Sequence, residues 1–385
     1  MMGVAWDPEV EAAAALTALP PLGPVRIDRL LREAGSARAA VAQGAAWIGR
    51  AAGLAAAERA ELERAWRPAL GRETVEAAAA HGFRPVLRGT EGYPEALFQV
   101  RLPPLLLWVA GRAPGDGEPR LALVGTRRAS DSGRRLARRV AESLAAAGVG
   151  LVSGLAAGID AAAHEGAMSG GAPTWGVLAS GPGGRYQHGG PALLRRVREA
   201  GGLLSELPPG REPRKHDFRW RNRLIAALGW MTLVVEAPAG SGALLTVQAA
   251  QEMGRTVLAF PGDPERPQSW GTNRLLRDGA ARMVLDAEDV LALLELESPW
   301  RRPPAAGEAG PLARALRNLP SAERRMLDAV ARQPRPLGAL CEAAGFGLST
   351  GSALLLRLEL AGWVQRDASG TYHLGAPARK ALGLR

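Results

Sequence analysis

Residues 121–164 read LALVGTRRASDSGRRLARRVAESLAAAGVGLVSGLAAGIDAAAH, and this stretch decides the fold. Twice in succession an apolar run meets a Gly/Ser turn and passes into a helical pattern, which is the signature of two β-turn-α units. Small residues follow each short strand: Gly125, Thr126 and Ser130 to Gly133 in the first unit, Ser153, Gly154 and Gly158 in the second. They let backbone amides come close to an anion, and a helix beginning there adds free N–H groups and a positive dipole end. Arg127 and Arg128 bring mobile positive charge to the first loop. The expectation is a phosphate-binding crevice at the carboxyl edge of a parallel sheet. Neither loop spells G-x-G-x-x-G or G-x-x-x-x-G-K-[ST], so dinucleotide and Walker-type triphosphate sites lack their motifs.

The pattern continues on the C-terminal side. Strands are expected at Thr174–Leu178, Leu203–Leu204, Met231–Val235 and Thr256–Phe260, alternating with helices, which gives a doubly wound parallel sheet with one core over about residues 115–295. Residues 210–229, GREPRKHDFRWRNRLIAALG, carry six cations, Arg211, Arg214, Lys215, Arg219, Arg221 and Arg223, against Glu212 and Asp217. Phe218 and Trp220 lie between them, the composition of a groove that tracks phosphates and stacks bases of a single strand. Phe218 as a plain core residue is the competing reading.

On the N-terminal side, Trp6 to about Ala80 is alanine-rich and helical in pattern, broken at residues 20–24 and at Gly35-Ser36. LTALPPLGPVRIDRLLREAG resembles a hairpin of a SAM-like or helix-hairpin-helix domain. A plain helical packing module fits the same pattern. Residues 81–111 read as an edge strand leading into the sheet. Beyond a Pro/Gly/Ala linker, residues from Leu319 onward give three helices, the first with Ser321 as a candidate cap, and a hairpin turning at Ala368-Ser369-Gly370. That resembles a winged helix. Its third helix, LSTGSALLLRLELAG, has one Arg and one Glu, a composition better suited to holding protein than DNA. The expected boundaries are 1–80 helical and SAM-like, 81–295 extended Rossmann-like, 296–318 linker and 319–385 winged helix.

Composition bounds the function. A formal charge of +10 over 385 residues, nearly all of it arginine, points to a polyanionic partner. The single cysteine, Cys341, rules out an internal disulfide and disfavours a thiolate metal site. No apolar run reaches membrane-spanning length and the amino terminus lacks a signal-peptide pattern, so a cytoplasmic protein is expected.

VGTRRASDSG, SGLAAGIDAAAH, GGLLSELPPG, FRWRNRLIAALG, VVEAPAGSGALLT, FPGD and WGTNRLLRDGA occur in the order found in the DNA-processing protein A family, DprA or Smf, which this chain resembles over most of residues 85–295. The resemblance implies a homodimeric protein of natural transformation that binds single-stranded DNA, loads a RecA-type recombinase and relieves inhibition by single-strand binding protein. No cofactor is implied. It carries DNA contact to Gly125, Thr126, Arg127, Ser153, Gly154, Gly158, Lys215, Phe218, Arg221, Asn222 and Arg223, and further motif positions to Ser241, Gly242, Thr246 and Asn273. Two departures concern the groove's lip: Ala157 stands where many members are basic, and Gln187 follows Tyr186 where the family has proline.

The enzymatic alternatives are thin. Asp160 and His164 lie one turn apart and could form an acid-base pair, although a helix-start Asp and a surface His explain them as well. A nucleotide phosphoribohydrolase of the lysine-decarboxylase-like group would need a carboxylate where Val247 and Gln248 stand. A third reading is a scaffold whose basic face meets acidic proteins.

Overall fold

Alanine-rich helices pack closely because nothing longer than a methyl separates their backbones, and the amino-terminal region is built on that. The computed structural model describes residues 6–184, 190–302 and 319–381. Helices α1 (Pro8–Ala18), α2 (Pro24–Ala34), α3 (Ala37–Ala42), α4 (Gly44–Ala51), α5 (Ala56–Ala65) and α6 (Leu70–Ala80) are separated where the sequence places its Pro and Gly breaks. Asp7 caps α1 by accepting the Glu9 amide at 2.7 Å. At the α1/α6 contact a Cβ on Gly71 would stand 2.1 Å from the Glu11 carbonyl, so only glycine permits that approach.

These helices do not close a core of their own. Leu16, Leu19, Leu30, Ile48 and Leu62 belong to one buried cluster with Trp108, Leu155, Leu178 and Leu203 of the sheet region. The core therefore reaches well N-terminal of residue 115, and residues up to Arg302 form one compact unit. Sequence periodicity marks which face is apolar without saying which element covers it.

Nine strands make the sheet: β1 (Arg84–Leu87), β2 (Leu106–Gly111), β3 (Arg120–Val124), β4 (Gly150–Ser153), β5 (Thr174–Val177), β6 (Gly202–Ser205), β7 (Met231–Val234), β8 (Val257–Ala259) and β9 (Arg282–Met283). Their order is β1-β2-β6-β5-β4-β3-β7-β8-β9. From β6 through β9 every pairing is parallel. The expected doubly wound sheet is present, and its strand order reverses at β3/β7, where such sheets open a crevice. One feature differs: β2 joins β6 antiparallel and β1 joins β2 antiparallel, so the sheet is mixed at that edge. A single edge strand expected over 81–111 is thus an antiparallel pair.

Helices α7 (Asp131–Ala146), α8 (Ile159–Gly170), α9 (Gly190–Ala200), α10 (Lys215–Leu228), α11 (Ala243–Glu252) and α12 (Trp270–Arg277) connect the strands from β3 to β9, and α13 (Ala287–Glu297) follows the last of them. The α7/α8 contact is set by glycine. A Cβ on Gly166 would meet the Arg138 carbonyl at 2.1 Å and one on Gly170 the Glu142 carbonyl at 2.3 Å.

The unit beyond the linker has helices α14 (Ser321–Arg332), α15 (Leu337–Ala344), α16 (Leu348–Leu360) and α17 (Ala376–Ala381), with strands β10 (Arg335–Pro336), β11 (Val364–Arg366) and β12 (Thr371–Leu374) in the order β10-β12-β11. Three helices and a hairpin are the winged-helix pattern expected. Ser321, however, is the first residue of α14 and caps nothing; Pro320 holds the cap position. Residues 303–318 of the linker, and Tyr186 and Gln187 of the lip, lie outside the described residues.

Replacing Gly166 by Ala is expected to lower stability by about 1–3 kcal/mol, since the helices must part to admit the methyl. Denaturant unfolding checks this, with Ser169→Gly, at an exposed position of the same helix, as a comparison for helix propensity.

Candidate nucleic-acid interface

Helix α10 organises the site because three of its side chains reach three different loops. Arg221 is buried and donates from Nη1 to the Gly154 carbonyl at 2.9 Å and to the Val177 carbonyl, joining the ends of β4 and β5. Asn222 donates from Nδ2 to the Gly242 carbonyl at 3.0 Å, holding the loop that opens α11. Phe218 is half-buried, and the Arg127 guanidinium lies 4.8 Å from its ring centroid, reaching over from the loop after β3.

Several loop amides are taken up by acceptors within the protein. Ser130 caps α7 by accepting the Gly133 amide at 2.9 Å, and the Glu236 carboxylate takes the Ser130 amide at 2.9 Å together with its hydroxyl. A Cβ on Gly133 would collide with that carboxylate at 2.3 Å. Asp160 does the same for the second loop, accepting the Gly154 amide at 3.2 Å and the Ala156 amide at 3.4 Å. The helix-start electrostatics read from the sequence are therefore correct in kind and internal in use: the protein supplies its own anions.

The glycines follow the same logic. Gly125 makes room for Ile159, Gly154 for the Arg221 guanidinium, and Gly158, at φ 85°, for the Thr126 and Arg127 carbonyls. Leu155 is the one non-glycine of positive φ among the described residues, at 59°, with its side chain seated over Gly176. Such backbone is costly and is held by its surroundings.

The other expected contacts divide into inward and outward groups. Ser153 is buried and donates to the Leu123 carbonyl at 2.6 Å; Thr126 is buried and accepts the Arg128 amide at 3.2 Å; Thr246 is buried on α11. Asn273 exchanges two hydrogen bonds with Gly262, at 2.8 and 3.0 Å, locking the loop after β8. Arg223 pairs with Glu206 and lies 4.4 Å from the Trp220 centroid, on the other side of α10 from Phe218. Ser241 accepts the Ala243 amide at 3.3 Å beside the exposed Gly242. Arg127 and Lys215 are the two charged candidates left exposed, with Arg128, Arg214 and Arg219 alongside. The sequence under-weighted Glu236 and Asp160. A carboxylate directly after a buried strand, and another at a helix start, were the available signals.

Burial shifts the protonation of this layer. Removal from water pushes the Asp160 carboxyl up, with Arg221 opposing. It brings Arg221 down to about 10 and raises Glu206 to about 7. His164, expected as a surface group, is fully buried with Nδ1 2.7 Å from the Thr174 hydroxyl, and burial depresses it to about 3. Its partner is Thr174, not Asp160, so no acid-base pair forms.

A family model described as "DNA recombination-mediator protein A" matches residues 84–295, and one described as "DprA winged helix domain" matches residues 310–370. Protein Smf of Synechocystis is 31% identical over 308 residues, 73% of this chain and 77% of that protein. The structure of DNA processing protein A from Streptococcus pneumoniae is 28% identical with a TM-score of 0.61, over 75% of this chain and 98% of that one. DNA processing protein A from Helicobacter pylori, whose structure is described for its single-stranded DNA binding mode, is 26% identical with a TM-score of 0.51, over 57% of this chain and 99% of that one.

The buried neutral His164 gives a pH dependence of definite sign. The unfolded chain takes up its proton near pH 6.5 and the folded chain only near 3, so the stability is whole above about 6.5 and is lost as pH falls toward 3, at up to about 1.4 kcal/mol per pH unit. Glu206 and Asp160, both raised, run oppositely: their contribution is present at low pH and is lost as pH rises through the folded value. Thermal unfolding from pH 7 to 5 should therefore separate His164→Asn from the unmodified chain. The variant loses less stability on acidification.

Proposed function

The chain belongs to the DNA recombination-mediator protein A family, and from that premise we propose that it is a non-catalytic, single-stranded-DNA-binding protein of the cytoplasm. The observation that carries the reading is Arg127 stacked on Phe218 beside exposed Lys215, at the carboxyl edge of the parallel strands. A cation held on an aromatic ring gives a strand what it needs without reading its sequence: charge for phosphate and a flat surface for a base. With Asp160 and Glu236 taking the Gly154, Ala156 and Ser130 amides, these exposed side chains are the charged groups that stand ready for the polyanion. The +10 charge fits.

On this reading Arg221, Asn222, Ser153, Thr126, Thr246 and Asn273 serve the site by fixing loops, and Gly125, Gly154 and Gly158 by permitting their close packing. Gly242 and Ser241 form an outer rim. Arg223 belongs to the opposite side of α10. In the cell the protein acts as a homodimer that protects incoming DNA in natural transformation, loads a RecA-type recombinase and relieves inhibition by single-strand binding protein. Residues 1–80 act as a SAM-like helical module that shares its core with the DNA-binding region at 81–295. The winged-helix unit at 319–385 contacts protein: Leu348, Leu356 and Leu360 stand exposed on α16 where a DNA-reading helix would carry polar groups. Among the described residues no single helix is long and apolar enough to cross a membrane.

A phosphoribohydrolase gains no support from the geometry. Val247 is buried, and Gln248 donates to Glu252 at 2.9 Å on the exposed face of α11.

Salt titration of binding to a poly-dT oligonucleotide tests the proposal. Lys215→Ala should weaken binding and flatten the slope of log K against log salt by about 0.7. Phe218→Ala should cost about 1–3 kcal/mol with little change in slope. A double-mutant cycle between Arg127 and Phe218 should return a coupling of about 0.5–1 kcal/mol. Unchanged binding by both Lys215→Ala and Phe218→Ala overturns the reading.

A further inference from the structure

Successive helix positions turn by about 100°, so Phe218 and Trp220 project to different sides of α10. Phe218 meets the loop after β3. Trp220 lines a second groove of about 910 Å³, bounded by α2, by residues 102–106 and by α11. Arg88, Arg214 and Arg219 also line it, over an apolar floor that includes Leu22 and Pro103.

The charge balance of this groove is informative. Three of the carboxylates along it have a cationic partner, Glu206 with Arg223, Asp217 with Arg211 at 3.5 Å and Asp28 with Arg32 at 2.7 Å, while Glu252 accepts from the neutral Gln248. Arg88, Arg214 and Arg219 form no ion pair among the described residues; Arg88 reaches only the Pro103 carbonyl, at 3.4 Å. The surplus is positive and sits around an aromatic ring. Exposed Arg214 adjoins Lys215 in sequence, and exposed Arg219 lies one turn beyond Lys215 on α10, so cations of both sides share the first turns of the helix.

We propose that the groove lined by Arg88, Arg214, Arg219 and Trp220 is a second segment of the single-strand path, engaged by the part of a strand that extends beyond the Phe218 side. Trp220 offers the stacking surface, its ring held by Arg223. The cations neutralise phosphates. The inference rests on the single-strand reading of the first site. It implies that a short oligonucleotide fills the Phe218 side alone and a longer one crosses α10.

The test compares affinities of the full chain for dT6 and dT30 by fluorescence anisotropy, in Arg88→Glu, Trp220→Ala, Lys215→Ala and Phe218→Ala. Arg88→Gln serves as a milder partner, and the melting temperature of each variant is measured. Arg88→Glu and Trp220→Ala should leave dT6 binding within about twofold and weaken dT30 at least fivefold, with the salt slope flattened for Arg88→Glu only. Lys215→Ala and Phe218→Ala should weaken both lengths. Unaltered dT30 binding by folded Arg88→Glu and Trp220→Ala removes the groove from the DNA path and leaves it to a partner of another class, such as an acidic peptide. Equal loss at both lengths merges Arg88 with the first site and overturns the two-segment path. Should Lys215→Ala and Phe218→Ala bind normally while Arg88→Glu fails, the first-site reading falls and the groove stands as the DNA surface.

Discussion

A buried guanidinium holds the site together. Arg221 has lost its water, and what it gains is the Gly154 and Val177 carbonyls and the charge of Asp160. Taking one partner away would leave the others buried and unpaired, which is the costly case for interior charges. The arrangement fixes the ends of β4 and β5 against α10. Asp160 in turn holds the amides of the loop after β4, so the register of helix and loops is set by one buried guanidinium, one buried carboxyl and the backbone dipoles that meet them. Gly154 is required because a Cβ would stand 2.6 Å from that guanidinium.

The same economy governs the loop after β3. Glu236 leaves β7 and neutralises the start of α7, and the Thr126 amide donates to the Glu236 carbonyl at 2.7 Å. The crevice at the strand-order reversal is thus braced by protein carboxylates where many α/β proteins place a ligand phosphate. On the proposed function, binding of a polyanion falls to side chains that stand clear of this brace. Long cationic side chains adapt to a flexible strand, whereas a rigid amide nest selects one anion geometry.

Helix α10 then distributes function around its circumference. Arg221 and Asn222 face the sheet and loops, Phe218 faces the Arg127 loop, and Trp220 with Arg223 faces the amino-terminal helices. That last face exists because α1 to α6 share their core with the sheet instead of closing one among themselves. The helical region thereby forms one wall of a groove.

The repeated β-turn-α pattern of 121–164, the buried run at 231–235 and the Pro/Gly breaks of the first 80 residues are local signals, so the strands, helices and doubly wound class were legible in the sequence alone. So were the hairpin and helices of the last unit and the surplus of arginine. Tertiary structure alone decided direction. A sequence lists Phe218 and Trp220 as neighbours, but helical geometry parts them. It lists six cations in one segment, but packing against other elements buries Arg221 and ties Arg223 to Glu206. His164 reads as a surface group until α8 packs it beside Thr174. The antiparallel edge of β1 and β2 depends on backbone pairing between residues far apart, as does the use of Asp160 and Glu236 as internal anions. Periodicity reports how a residue relates to its own element; which charge meets which amide is fixed only when distant elements pack, because desolvation makes an unpartnered buried polar group costly and so favours the packing that pairs most of them.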